Sequence, residues 1–110
     1  MNGEAQKERI RLAGSIAVHA LEQLLRELAE AGGSDEIRAL VLGVLYDDTA
    51  PDTSVLGRLG DLITETGKEL PEGETAENLD EAAAYVHDYA GQRLAHARAA
   101  LMAAGKGGTR

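Results

Sequence analysis

The sequence predicts an all-α protein, a four-helix bundle ordered long, short, short, long. Three observations carry that prediction. Apolar residues recur at alternating spacings of three and four in four stretches, as in helices that bury one stripe. Breaks rich in glycine and proline separate those stretches. The only aromatic residues are Tyr46, Tyr85 and Tyr89, so Leu, Ile, Val and Ala must build the core. Such side chains bury little area each, at roughly 25 cal/mol per Å². The core is therefore expected to be thin, and oligomerisation or a partner would thicken it.

The first helix is expected over 4–31. Ile10, Gly14, Ala17, Leu21, Leu24 and Leu28 form its seam. Val18 and Leu25 widen the stripe on one side, Ala13 and Ala20 on the other. Gly32 and Gly33 end the helix, because glycine takes a left-handed cap without strain. Gly14 costs roughly 1 kcal/mol against Ala inside a helix, and close approach of another helix is the expected compensation. The second helix is expected over 34–46. Ser34 serves as its N-cap, Asp35 and Glu36 suit the positive end of the helix dipole, and Ile37, Leu40, Val41, Val44 and Leu45 are buried. Residues 47–51, ending in Pro51, form a breaker.

The third helix is expected over 52–66, with Val55, Leu56, Leu59, Leu62 and Ile63 on one face and Gly57 and Gly60 opposite. Ser54 has a cap-like place near its start. The fourth is expected over 75–104, capped by Thr75 or Asn78 and stopped by Gly105. Its seam reads Leu79, Ala83, Val86, Ala90, Ala97 and Ala104, flanked by Leu94 and Leu101. Residues 105–110 are expected to fray. Short connections make sequential helices antiparallel neighbours, and 110 residues fit one domain.

Composition narrows the function. The chain has no cysteine, which excludes disulfides, thiolate metal sites and a thiol nucleophile. Nineteen acidic residues against eleven basic give a net charge of −8. That argues against a phosphate-tracking nucleic-acid binder and against adsorption on anionic membranes. No apolar stretch approaches the roughly 20 residues needed to span a bilayer. Met1-Asn2-Gly3-Glu4 lacks the basic flank of a signal peptide, so a cytoplasmic location is expected.

Few residues suggest chemistry. There is no Gly-rich phosphate loop, no GxSxG and no calcium-loop aspartate pattern, so no catalytic residue and no cofactor is assigned. His19 should be exposed, one turn from Glu22, as an ordinary surface pair. His87 and Asp88 are weak metal candidates, because further ligands would have to come from helices that carry no histidine. A partly buried structural role suits His87 better. Arg93 interrupts the apolar seam and must snorkel, pair with Asp47, Asp48 or Asp61, or face another chain.

A second stripe on the fourth helix runs through Tyr85, Tyr89, Gln92, His96, Ala99 and Ala103. Tyrosine, glutamine and histidine suit half-wet contacts, so Tyr85, Tyr89, Gln92, Arg93 and His96 form the candidate interaction face. The sequence thus points to a non-enzymatic helical protein–protein interaction module. It would be a regulatory or accessory subunit that forms a homodimer or binds another protein. The alternative is a bundle that binds a metal or small ligand through His87 and Asp88. A nucleic-acid mimic would need its acids on one face, and here they spread along all four helices.

Overall fold

Helix α1 (Asn2–Glu30) ends where Gly32 and Gly33 take φ of 65° and 91°, backbone that glycine enters without a Cβ clash. Helix α2 (Asp35–Leu45) opens on Asp35 and Glu36, and Arg38 pairs with Asp35 at 2.9 Å. A 3₁₀ turn at Pro51–Thr53 leads into α3 (Val55–Gly67). Then α4 (Glu74–Ala84), a π-helical turn (Tyr85–Ala90) and α5 (Gly91–Gly107) form one unbroken helix. Its joints at Ala84, Tyr85 and Gly91 all keep right-handed helical backbone. The computed structural model describes the backbone of residues 2–107 and the side chains of 3–104. Among these residues there is no strand; the protein is all-α, and the contacts between its helices fit a bundle.

The chain divides into two compact units, residues 1–34 and 35–110. The first consists of α1 and its glycine cap. In the second, the continuous helix from Glu74 to Gly107 supports the two short ones. Helix α2 packs on α5, and α3 packs on α4 and the π turn. Gly43 meets Arg98 while Tyr46 meets Gly91, so α2 runs antiparallel to the long helix. Gly60 meets His87 while Gly67 meets Leu79, so α3 does too. The short helices are therefore not antiparallel to each other. The Pro51 turn and the extended backbone of Ser54 (φ −104°, ψ 157°) carry the chain onward instead of reversing it.

Several boundaries and faces differ from the sequence expectation, each for a local reason. Helix α3 starts at Val55, not at 52, because Pro51 begins the 3₁₀ turn and Ser54 is the cap. Ser54 is 2% exposed. Its hydroxyl donates to the Pro51 carbonyl at 2.7 Å and accepts from the Gly57 N–H at 3.2 Å. A Cβ on Gly57 would lie 1.9 Å from the Pro51 carbonyl oxygen, so only glycine fits. Gly57 and Gly60, expected opposite the apolar face, are buried at the contact, while Leu59 and Leu62 are exposed. Gly57 lies against Pro51 and Ser54, and bare backbone at Gly60 and Gly67 lets His87 and Leu79 pack closely. Likewise Gly43 and Tyr46 face α5, and Leu40 and Val44 of α2 are exposed.

At the last helix, Gly73 (φ 157°, ψ −171°) is the N-cap. The Glu77 N–H already donates to the Gly73 carbonyl, so neither Thr75 nor Asn78 begins the helix. Gly105 does not stop it either: α5 continues to Gly107, because glycine permits a left-handed turn without requiring one. Residues 108–110 of the expected frayed tail lie outside the described residues.

The π turn changes the fourth seam. The Gly91 N–H reaches back to the Val86 carbonyl, five residues away, one more than in an α-helix. The extra residue advances the inner line by one position. Gly91 is buried and Leu94, Arg98 and Leu101 are half-buried, whereas Arg93, Ala97 and Ala104 are exposed. Tyr46 packs against this turn. It is 2% exposed, the one buried hydrophobic side chain among the described residues. Its ring meets His87 edge-on at 5.6 Å, and a Cβ on Gly91 would lie 2.9 Å from it. Burying an aromatic ring removes roughly 150–250 Å² from water, worth about 4–6 kcal/mol.

Asp47, next in the chain, closes the following turn. Its Oδ1 accepts the Thr49 hydroxyl at 2.6 Å and the Thr49 N–H at 2.9 Å. Those bonds, with the positive charge of Arg98 adding a smaller effect, hold its carboxyl below the ordinary 3.8.

Four variants test this packing in urea unfolding. Tyr46→Ala should lose about 3–5 kcal/mol. Gly57→Ala should lose about 1–3 kcal/mol through the forced clash, while Gly60→Ala, whose Cβ would meet the His87 ring at an ordinary 3.5 Å, should be neutral or stabilising. The stabilisation from Asp47 should be complete above its unfolded value and vanish as pH falls through the lowered folded one. Asp47→Asn should therefore flatten the acid limb of the stability profile.

Candidate interaction faces

Helix α1 spans 29 residues, about 43 Å at 1.5 Å per residue. Its seam is open. Ile10 is 65% exposed, Leu21 41% and Leu25 66%, and Val18 is exposed as well; Leu24 and Leu28 are half-buried. Leu12 and Ile16, on the opposite side of the helix, are also exposed. A Cβ built on Gly14 meets nothing of its own unit within 4 Å. Charged side chains pair along the helix, Lys7 with Glu4 and Arg11 with Glu8. His19 is exposed, and its Nδ1 donates to the Ser15 carbonyl at 2.8 Å.

The second face lies on the π turn and the start of α5. Tyr85 and Tyr89, expected to share a stripe with Gln92, Arg93 and His96, are 62% and 61% exposed. Gln92, Arg93 and His96 are exposed beside them. The two tyrosine rings stand edge to face at 6.4 Å, within the favourable range for aromatic pairs. The Arg93 guanidinium lies 5.8 Å from the centre of the Tyr89 ring, a cation–π contact. Glu81, Ala84, Tyr85, Asp88 and Tyr89 line a shallow hollow of about 330 Å³.

This placement corrects the expectation for Arg93. It is neither in the apolar seam nor paired with Asp47, Asp48 or Asp61; Asp61 pairs with Arg58 at 3.6 Å. The arginine that the inner line does contain is Arg98, one residue past the expected seam position because of the π turn. Its side chain lies against Gly43, and its Nε is buried without a hydrogen-bond partner.

His87 is half-buried between the Tyr46 ring and Gly60, the packing role expected of it. Its Nδ1 lies 3.6 Å from Asp88 Oδ1, and the Asp88 side chain is largely in solvent. Among the described residues no three His, Cys, Asp or Glu side chains gather where a metal ion could sit. No described helix is long and apolar enough to cross a membrane.

No family model, curated protein or solved structure matches this chain. The candidate surfaces accordingly rest on geometry alone. Tyr46, Arg98, Gly43 and Gly91 were the positions that periodicity missed. The signal available for them was the glycines themselves, at 43, 57, 60 and 91, each inside a helix where glycine otherwise costs stability.

The exposed and inner arginines should separate on truncation. Arg93→Ala should change unfolding stability by less than about 1 kcal/mol, as for a solvent-side cation–π pair. Arg98→Met should keep the packing against Gly43 and match or exceed the wild type, because the unpartnered Nε is removed.

Proposed function

We propose that this chain is a non-enzymatic helical interaction module, an accessory or regulatory subunit that self-associates through α1. The observation that carries the reading is the open seam of α1. Isolated helices are marginal in water, and most helical stability in proteins comes from packing an apolar face. Here Ile10, Val18, Leu21 and Leu25 face solvent along one helix, and each such side chain gains roughly 1.5–3 kcal/mol when fully buried. An apolar stripe of this length, edged by charged residues, fits a helix–helix interface. The exposed Tyr85, Tyr89, Gln92, Arg93 and His96 supply a second, more polar face suited to a protein partner. The net charge of −8 favours a partner with a basic surface.

Light scattering across size exclusion, over a wide concentration range, tests this. The wild type is expected to approach the mass of two chains as concentration rises. Leu21→Glu should hold it at one chain and lower the helical circular dichroism. Tyr89→Glu should leave the mass unchanged. A wild type that stays at one chain throughout would overturn the reading, and a dimer lost only in Tyr89→Glu would move self-association to the tyrosine face.

A further inference from the structure

Resting on that reading, we infer that α1 pairs antiparallel with the α1 of a second copy. The seam sets the alignment. Centred on its midpoint, an antiparallel pair places Ile10 opposite the partner's Leu28, Gly14 opposite the partner's Leu24, and Ala17 opposite the partner's Leu21. Small residues of one half thus receive the leucines of the other, and layers that alternate small and large fill space well. A parallel pair would stack Gly14 on Gly14 and Leu24 on Leu24, hollow at one end and crowded at the other. The arrangement also gives Gly14 a use: a Cβ there would meet nothing of its own unit, and bare backbone is what an incoming leucine needs.

Charge selects the same direction. Between residues 3 and 15 of α1 there are three basic residues and two acidic; between 16 and 30 there are one basic and three acidic. Antiparallel pairing sets the basic half against the acidic half and opposes the two helix dipoles. Arg9 and Glu27 are eighteen residues apart, five turns of 3.6, and so lie on the same edge. A two-fold axis across the seam brings like edges together. Arg9 then falls between the levels of the partner's Glu27 and the partner's Glu30. Lys7 and Arg11 are engaged with Glu4 and Glu8, whereas Arg9 forms no ion pair among the described residues.

Because the chain contains no cysteine, single-cysteine variants report direction. Gly14→Cys and Leu24→Cys are prepared separately, one carrying a mass tag, and oxidised mildly alone and as an equal mixture. The expected result is a mixed cross-linked species in the mixture and little cross-linking of either variant alone. Efficient self-cross-linking of each variant with none between them would overturn the antiparallel arrangement while leaving self-association intact. A single-chain mass for the reduced variants and the wild type alike would remove self-association itself. A charge reversal gives a readout that does not depend on the core positions. Arg9→Glu should weaken association about fivefold, and adding Glu27→Arg should recover it. Two independent, additive losses would count against the pairing.

Discussion

Tyr46 set against the π turn is the contact on which the larger unit depends. It is the one buried hydrophobic side chain among the described residues, and it sits where α2 ends, where the loop to α3 begins and where the long helix gains its extra residue. His87 on one side and Gly91 on the other shape its pocket. The rest of the unit is aliphatic and half-open, so the ring fixes what the smaller side chains leave loose. It sets the register of α2 on α5 directly. Through His87, which also meets Gly60, it sets that of α3 on α4.

Glycine does the complementary work. At Gly43, Gly60, Gly67 and Gly91 a side chain from the opposing helix occupies the space a Cβ would approach. Each such glycine gives up helix propensity, roughly 1 kcal/mol against Ala, and gains close packing in return. The consequence is a division of residues different from a leucine-cored bundle. Small residues and one aromatic ring lie inside, while Leu40, Val44, Leu59 and Leu62 remain exposed. A chain arranged this way retains apolar surface for contact after it has folded.

How much of this was legible follows from what sets phase in each helix. In α1, charged and polar residues interrupt the apolar ones at helical spacing, so the helix could be read, but the stripe expected to pack is largely exposed. In α2, residues 39–45 contain no polar side chain; periodicity found the helix but had nothing with which to choose its inner face. In α3 the leucines outweigh the glycines on any hydrophobicity scale, yet close approach decided the orientation. Along the last helix the count was right up to Val86. Beyond it, a single inserted residue advanced the inner line by one, putting Leu94 where Arg93 was expected and Arg98 where Ala97 was expected, and no residue type marks such an insertion. The tyrosine stripe was still identified, because Tyr85 and Tyr89 both fall within the turn itself.

The π turn also bears on how related chains could differ in length. An extra residue held inside an unbroken helix can be removed without cutting the helix. Its loss would restore the ordinary winding and turn everything beyond Gly91 by about 100°. Leu94, Arg98 and Leu101 would rotate away from α2, and Tyr46 would lose its seat. A one-residue deletion here is therefore a change of architecture and not a trimmed loop. In an alignment of relatives, a gap in the middle of this helix would mark a chain that packs its second half differently.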